Sequence, residues 1–185
     1  MLMKLNFGGV VPLSTIDWPG KASMSVFFGG CNLNCKYCQN HNIIDKENFI
    51  DISELSERIE ESSDFIDAIL ITGGEPFLQK EALTLLAKKA KSLGLEVGIQ
   101  TNGCFPDRLL ELIELCCCDF VSLDIKAPFS DSKKYSDVAG VEVDVDKIKK
   151  SLNRSSERIA GKTNFITLVR NMTLTCREIV EIEHD

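Results

Sequence analysis

The stretch that decides the fold is Gly29-Gly30-Cys31-Asn32-Leu33-Asn34-Cys35-Lys36-Tyr37-Cys38, in which three cysteines follow the spacing C-x-x-x-C-x-x-C. An odd number of thiols cannot all pair as disulfides, whereas cysteine thiolates are the usual ligands of iron–sulfur clusters. A cubane of four irons takes four ligands, so three cysteines would leave one iron with an open coordination position. The spacing therefore favours a reactive iron–sulfur site over a disulfide framework.

Two other interpretations of this cysteine loop stay open at the level of sequence. The three cysteines could bind zinc together with the nearby His41, or they could simply pack as thiols. The flanking glycines favour a cluster, because they allow the backbone to approach it closely. The remaining cysteines lack ligand spacing, and we interpret them as small buried hydrophobic residues; they are Cys104, Cys116, Cys117, Cys118 and Cys176.

Length and composition predict a soluble globular protein of ordinary size. The 185 residues, 44% hydrophobic and 26% charged, suit a single domain over residues 1–185 with a short N-terminal extension over residues 1–21. No apolar run is long enough for a transmembrane helix, and the first residues lack the features of a signal peptide, so we expect a cytoplasmic protein without a membrane partner. The net charge of −7 argues against nucleic acid as a partner.

Hydrophobic periodicity predicts strands and helices in alternation. Short apolar runs predict buried strands over residues 22–28, 68–72, 95–100, 120–126 and 165–169, and helical spacing predicts helices between them and over residues 177–183. Residues 4–16 are expected to form a short hairpin at an edge. Such alternation is typical of an α/β fold with a parallel sheet. Because five strands cannot complete an eight-stranded barrel, we expect a partial, open β/α barrel of about five to six parallel strands.

Unusual residues fall at the carboxyl ends of four predicted strands, the edge that carries the active site in such barrels. They are the cysteine loop, Gly73-Gly74-Glu75-Pro76, Thr101-Asn102-Gly103 and Asp124-Ile125-Lys126. A glycine pair frees backbone groups to meet a ligand, although a plain turn also contains Gly and Pro. Thr101 and Asn102 could donate to a carboxylate or cap a helix. Asp124 and Lys126 share one face of a strand. If their charged side chains are buried, they must pair with each other or bind a ligand; the alternative is a solvated strand end.

These motifs resemble those of the radical S-adenosylmethionine superfamily. The cysteine loop is similar to its cluster motif, with Tyr37 before the last cysteine, and Gly73-Gly74-Glu75-Pro76 is similar to its motif for the methionine amino group. More narrowly, residues 14–21, Thr101-Asn102-Gly103 and residues 123–128 resemble the activating enzymes of glycyl-radical proteins, above all the anaerobic ribonucleoside-triphosphate reductase activating proteins. The resemblance runs from about residue 7 to about residue 150.

The resemblance implies a definite chemistry. Cys31, Cys35 and Cys38 would hold a 4Fe-4S cluster whose open iron binds the amino and carboxylate groups of S-adenosylmethionine. One electron, from a reduced flavodoxin or a ferredoxin-type donor, would cleave the sulfonium to methionine and a 5′-deoxyadenosyl radical. In an activating enzyme this radical abstracts hydrogen from a glycine α-carbon of a partner protein. The protein contributes placement and exclusion of water.

The resemblance also assigns the cofactor-binding residues. Tyr37 would contact the adenine through its backbone, and the Gly73-Gly74-Glu75 segment would receive the methionine amino group. Thr101 and Asn102 belong to the same site. Asp124 and Lys126 would help hold the methionine end.

The sequence departs from the family pattern at three places. Related activators carry an acidic residue before Thr-Asn-Gly that helps bind a monovalent cation, and Gln100 stands there with an oxygen but no charge, so a cation is implied only if Gln100 can replace that residue. An arginine of the fifth strand is replaced by Ile166, with Arg170 as its nearest substitute. Relatives also continue with a further strand, so we expect a less complete barrel wall that is open to a protein loop or a partner subunit.

Two rival functions stay in view. Radical chemistry on a small molecule or a tRNA nucleoside would keep the same cofactors, although no second cluster motif and no basic aromatic patch supports it. A non-enzymatic iron–sulfur electron carrier or a zinc module would need a fourth protein ligand, and neither would use the two glycine-containing turns at the same edge.

Overall fold

The computed structural model describes residues 3–159 and 166–170, and the backbone there forms one seven-stranded sheet with helices. The strands are β1 (Lys4–Ser14), β2 (Ser23–Phe28), β3 (Phe49–Asp51), β4 (Ala68–Gly73), β5 (Glu96–Thr101), β6 (Phe120–Asp124) and β7 (Ile166–Arg170). The helices are α1 (His41–Ile44), α2 (Ile52–Ser62), α3 (Lys80–Ser92), α4 (Pro106–Glu114), α5 (Ser132–Ala139) and α6 (Val145–Ile159), with a 3₁₀ turn at Pro76–Gln79. The predicted helix at 177–183 and Cys176 lie outside the described residues.

The strand order β3-β1-β2-β4-β5-β6-β7 confirms the predicted open barrel. Five strands, β2 and β4 to β7, run parallel to one another. β1 is antiparallel to both β2 and β3. Over the described ranges the sheet has two edges, β3 and β7, and it does not close.

The predicted hairpin over residues 4–16 is wrong, because most of these residues form one continuous strand, β1. The pairing of β1 with β2 shifts register between Phe7 and Gly9, so the glycines here accommodate an irregularity within the strand and do not reverse the chain. The strand β3 and the short helix α1 were not predicted. Three or four residues are too few to establish a hydrophobic period.

The two faces of the sheet carry different side chains. Alternate strand residues such as Val26, Ile71 and Val97 join the main core with the apolar faces of α2, α3 and α4. Predicted helix boundaries hold here: Asp51 caps α2 in a capping box with Glu54, and Gly94, with φ of +80°, follows the end of α3. The opposite face carries polar strand residues such as Thr72 and Gln100, which line the candidate site.

The loop between β1 and β2 covers that opposite face near the amino ends of the strands. Trp18 is buried, stacks on Phe120 with ring centroids 4.8 Å apart, and packs with Ala68 and Leu70. Gly98 makes room for it, since a Cβ at that position would lie 2.8 Å from the indole. The indole therefore fills the inner face of the barrel near the amino ends of the strands.

We predict that Trp18→Ala lowers the free energy of unfolding by roughly 3–5 kcal/mol, because it empties a buried aromatic site. The neighbouring Ile16 is 84% exposed, so Ile16→Ala is the matched control and should change stability by no more than about 0.5 kcal/mol. Urea unfolding of both variants measures the difference. Equal effects of the two changes would contradict the role given to the indole.

Candidate active site

The carboxyl edge of the sheet holds a cavity of about 560 Å³, a volume suited to a cofactor-sized ligand. Ten of the eleven residues predicted from the sequence line it: Cys31, Cys35, Cys38, Tyr37, Gly73, Gly74, Thr101, Asn102, Asp124 and Lys126. Residues that sequence reasoning did not assign to binding also line it, among them Asn40 and Thr72. The structure therefore brings together four chain segments that lie far apart in sequence.

The cysteine loop is fixed to the Gly73-Gly74 turn through backbone contacts. The amide of Gly74 donates to the carbonyl of Phe28 at 2.9 Å, and the amide of Glu75 donates to the carbonyl of Gly30 at 2.9 Å. A Cβ on Gly74 would lie 1.8 Å from the Gly30 oxygen, so glycine is required for this approach. The other end of the loop is held by α5, where the Asn34 amide donates to the Ala139 carbonyl at 2.9 Å.

Glu75 is the one predicted site residue that does not reach the cavity. Its side chain is completely buried, and its carboxylate accepts hydrogen bonds from the Phe77 amide, the Asn102 amide and the Thr101 hydroxyl at 2.9 to 3.1 Å. Burial raises the pKa of this carboxyl to about 7, against the opposing effect of these donors. Glu75 therefore joins the end of β4 to the end of β5 and positions the residues that line the cavity.

The side chains of Asp124 and Lys126 lie together, as their alternate spacing on a strand predicted. Their side chains form an ion pair, and the ammonium of Lys126 lies 5.6 Å from the centre of the Tyr37 ring. Burial disfavours the charged ammonium, but the Asp124 carboxylate outweighs it, so the pKa of Lys126 is higher than usual. This corner of the cavity offers both a cation and an acceptor to a zwitterionic ligand.

Gln100 lies in the cavity with its side-chain oxygen already engaged. The Thr72 hydroxyl donates to Gln100 Oε1 at 2.9 Å, and the Asp124 carboxylate is paired with Lys126. A monovalent cation is best bound by charged oxygen ligands that have no other partner. Gln100 Oε1 is uncharged, and the Asp124 carboxylate is already paired, so neither is a good cation ligand. We therefore predict that Gln100 does not replace the acidic residue, and an experiment below tests whether a cation is needed.

The donor set fits a cluster and does not fit the zinc alternative. Within the described residues, no three His, Cys, Asp or Glu side chains converge on one ion position. His41 is exposed, and its Nδ1 lies 3.3 Å from the Cys38 carbonyl oxygen. In a cubane each cysteine binds a different iron, so the three cysteines need not meet at one ion position, and all three line the same cavity.

Burial keeps the Cys31 thiol protonated when no metal is bound. Burial raises the pKa of Cys31 to about 11. Metal ligation requires the thiolate, so iron would have to displace this proton.

Among the other cysteines, the prediction of burial holds only in part. Cys117 and Cys118 are buried, and Cys104 is half-buried. Cys116 is exposed, which contradicts the prediction. Cys116 follows the end of α4 and has a φ of +53°, in the left-handed region. Its side chain therefore does not continue the apolar face of the helix.

A match to a family model extends over most of the chain. The model of the radical SAM superfamily matches residues 25–182. The chain belongs to the radical SAM superfamily. Proteins of this superfamily use a 4Fe-4S cluster and S-adenosylmethionine, and these are the cofactors that the match gives to this chain.

Curated relatives point to more than one reaction within the superfamily. A Methanocaldococcus jannaschii protein named "putative glycyl-radical enzyme activating enzyme" is 41% identical over 72% of this chain and 55% of its own length. A Haemophilus influenzae protein of the same name is 32% identical over 57% of this chain and 42% of its own. A 7-carboxy-7-deazaguanine synthase from Hyperthermus butylicus is 36% identical over 47% of this chain and 37% of its own. The chain spans about half the length of the curated relatives it matches.

Solved structures share the fold at low sequence identity. Streptococcus suis SuiB bound to S-adenosylmethionine superposes with a TM-score of 0.63 at 20% identity, over 84% of this chain and 35% of that one. QueE from Escherichia coli gives a TM-score of 0.51 at 14% identity, over 98% of this chain and 89% of that one. In the described part of this chain, no helix has the length and apolar character needed to cross a membrane.

We predict that the buried Glu75 makes stability fall as the pH rises. A carboxyl whose pKa rises from 4.5 when exposed to about 7 when folded binds more protons in the folded state. Its contribution is complete below pH 4.5 and is lost by about pH 7, a change of about 3 kcal/mol. Urea unfolding between pH 5 and pH 8 should show this slope in the wild type and lose it in Glu75→Gln. The same slope in both proteins would contradict the assignment.

We also predict that no monovalent cation is required. Replacing potassium and sodium by choline should leave the affinity for S-adenosylmethionine unchanged, because Gln100 brings no charge into the cavity. Gln100→Asp adds that charge and should make the affinity depend on the cation. Isothermal titration in the two buffers measures both effects. A wild-type affinity that falls in choline would show that a cation binds after all.

Proposed function

We propose that the protein activates a glycyl-radical enzyme, most simply an anaerobic ribonucleoside-triphosphate reductase. When bound, the reduced cluster and S-adenosylmethionine supply a 5′-deoxyadenosyl radical, which takes a hydrogen atom from a glycine α-carbon of the partner protein. A reduced flavodoxin or a ferredoxin-type protein would deliver the electron. The 41% identity to the Methanocaldococcus jannaschii protein supports this choice, and so does the resemblance of residues 14–21 to activating enzymes.

The observation that carries the proposal is that three half-buried cysteines and the Asp124–Lys126 ion pair line one cavity. Cys31, Cys35 and Cys38 would hold the cluster, and the carbonyl oxygens of Gly73 and Gly74 can accept a hydrogen bond from the methionine amino group. Lys126 and Asp124 would hold the methionine end, since their pair presents both charges. Tyr37, half-buried in the same loop, suits the adenine.

A small-molecule reaction is the second candidate. The similarity to a 7-carboxy-7-deazaguanine synthase, and the superposition on QueE over 98% of this chain, favour it. Such an enzyme would use the same cluster and the same corner of the cavity. Only the substrate would differ, a small molecule in place of a peptide glycine.

We predict that the protein, reconstituted anaerobically with iron and sulfide and then reduced, converts S-adenosylmethionine to 5′-deoxyadenosine and methionine. Cys35→Ala should abolish both products, because it removes a proposed ligand of the cluster. Cys116→Ser is the matched control: this thiol is exposed and lies outside the cavity, so product formation should be retained. Chromatography measures the products. A wild type that forms none, with its cluster assembled, would contradict the proposal.

Adding a candidate glycyl-radical protein separates the two functions. An electron paramagnetic resonance signal of a glycine-centred radical, dependent on both proteins, is the result we expect. If cleavage proceeds but no partner acquires the signal, while a small-molecule substrate is consumed, the small-molecule reaction is the correct one.

A further inference from the structure

The side chain of Asn102 faces the cysteine loop and not only the open cavity. Its Nδ2 donates to Asn32 Oδ1 at 2.8 Å and contacts Cys31 Sγ at 3.9 Å, within the range of a hydrogen bond to sulfur. The Leu33 amide donates to the same sulfur at 3.4 Å. Cys31 is thus approached by two N–H donors from different parts of the chain.

The orientation of the Asn102 amide is determined by its neighbours. Asn102 Oδ1 accepts a hydrogen bond from the Cys104 backbone amide at 3.0 Å. A backbone N–H can only donate, so the oxygen must face Cys104 and the NH₂ group must face Asn32 and Cys31. A reversed amide would bring two donors together at Cys104 and two acceptors together at Asn32.

The backbone behind Asn102 is held just as firmly. Its main-chain amide donates to the buried Glu75 carboxylate at 2.9 Å, and Asn102 itself is only 6% exposed. The preceding Thr101 donates to the same carboxylate. An amide fixed at its backbone and at both ends of its side chain cannot turn away from the sulfur without losing several hydrogen bonds.

We infer that Asn102 is a positioning residue for the cluster that raises its reduction potential by donating a hydrogen bond to the Cys31 sulfur. Reduction adds one negative charge to a cluster, so a donor aimed at a sulfur ligand stabilises the reduced form more than the oxidised form. The inference rests on the proposed function, because it takes Cys31 as a cluster ligand. It gives Asn102 a role toward the iron–sulfur cluster, in addition to its place in the wall of the S-adenosylmethionine cavity.

The test is a dithionite titration of the reconstituted cluster in the absence of S-adenosylmethionine, followed by electron paramagnetic resonance. Asn102→Ala should shift the midpoint potential to more negative values, and Asn102→Asp should shift it further because it adds a charge. Asn40→Ala is the matched control. Asn40 lies in the same cavity, but its amide donates to the Gly73 carbonyl at 2.9 Å, so its loss should leave the potential unchanged.

Two outcomes would overturn the inference: an Asn102→Ala potential equal to that of the wild type, or an equal shift in Asn40→Ala. If Asn102→Ala does not retain the cluster, Asn32→Ala tests the same hydrogen bond to Cys31 without changing Asn102 itself. It removes the acceptor that holds the amide, so it should produce a smaller shift in the same direction, and no shift would count against the inference. A wild type that assembles no cluster contradicts the proposed function, whereas an assembled cluster with an unmoved potential contradicts only the role of Asn102.

Discussion

The arrangement of the site depends on a contact between two stretches of backbone. Gly74 presses against the carbonyl of Gly30 so closely that a methyl group would lie 1.8 Å from that oxygen. The contact locks the turn after β4 to the start of the cysteine loop after β2, and parallel pairing of these two strands brings the stretches together. Any side chain at Gly74 would push the cysteine loop away from the groups that are proposed to bind the methionine amino end.

Buried Glu75 extends this arrangement across the sheet. Its carboxylate binds the Thr101 and Asn102 segment, so the ends of β4 and β5 behave as one unit with the cysteine loop. A buried carboxyl is costly unless its oxygens are hydrogen-bonded, and donors from Phe77, Thr101 and Asn102 supply those bonds. The hydrogen bonds then continue through Asn102 to Asn32 and Cys31, which links the buried carboxylate to a proposed cluster ligand.

Much of the fold and of the site followed from the sequence, for identifiable reasons. Buried parallel strands are short apolar runs, so β2, β4, β5 and β6 were predictable, and the residues after them were expected to meet at one edge. The pairing of Asp124 with Lys126 followed from their alternate spacing on a strand. The motif resemblance added the identity of the cofactors, which spacing alone left open.

The remaining features depend on long-range packing that no local pattern encodes. Nothing near Glu75 in sequence indicates that its carboxylate turns inward to Thr101, 26 positions away. The role of Asn40 against the Gly73 carbonyl depends on the course of the loop after Cys38. β1 was mistaken for a hairpin because glycines that permit a register shift look like glycines that make a turn.

The central claim is that Cys31, Cys35 and Cys38 leave one iron of a cubane open to S-adenosylmethionine inside this cavity. Electron–nuclear double resonance of the reduced protein, with the amino nitrogen of S-adenosylmethionine labelled with ¹⁵N, tests it most directly. The account predicts a hyperfine coupling that shows the labelled nitrogen bound to iron. A cluster that shows no such coupling at saturating S-adenosylmethionine, with all four irons ligated by the protein, would contradict it.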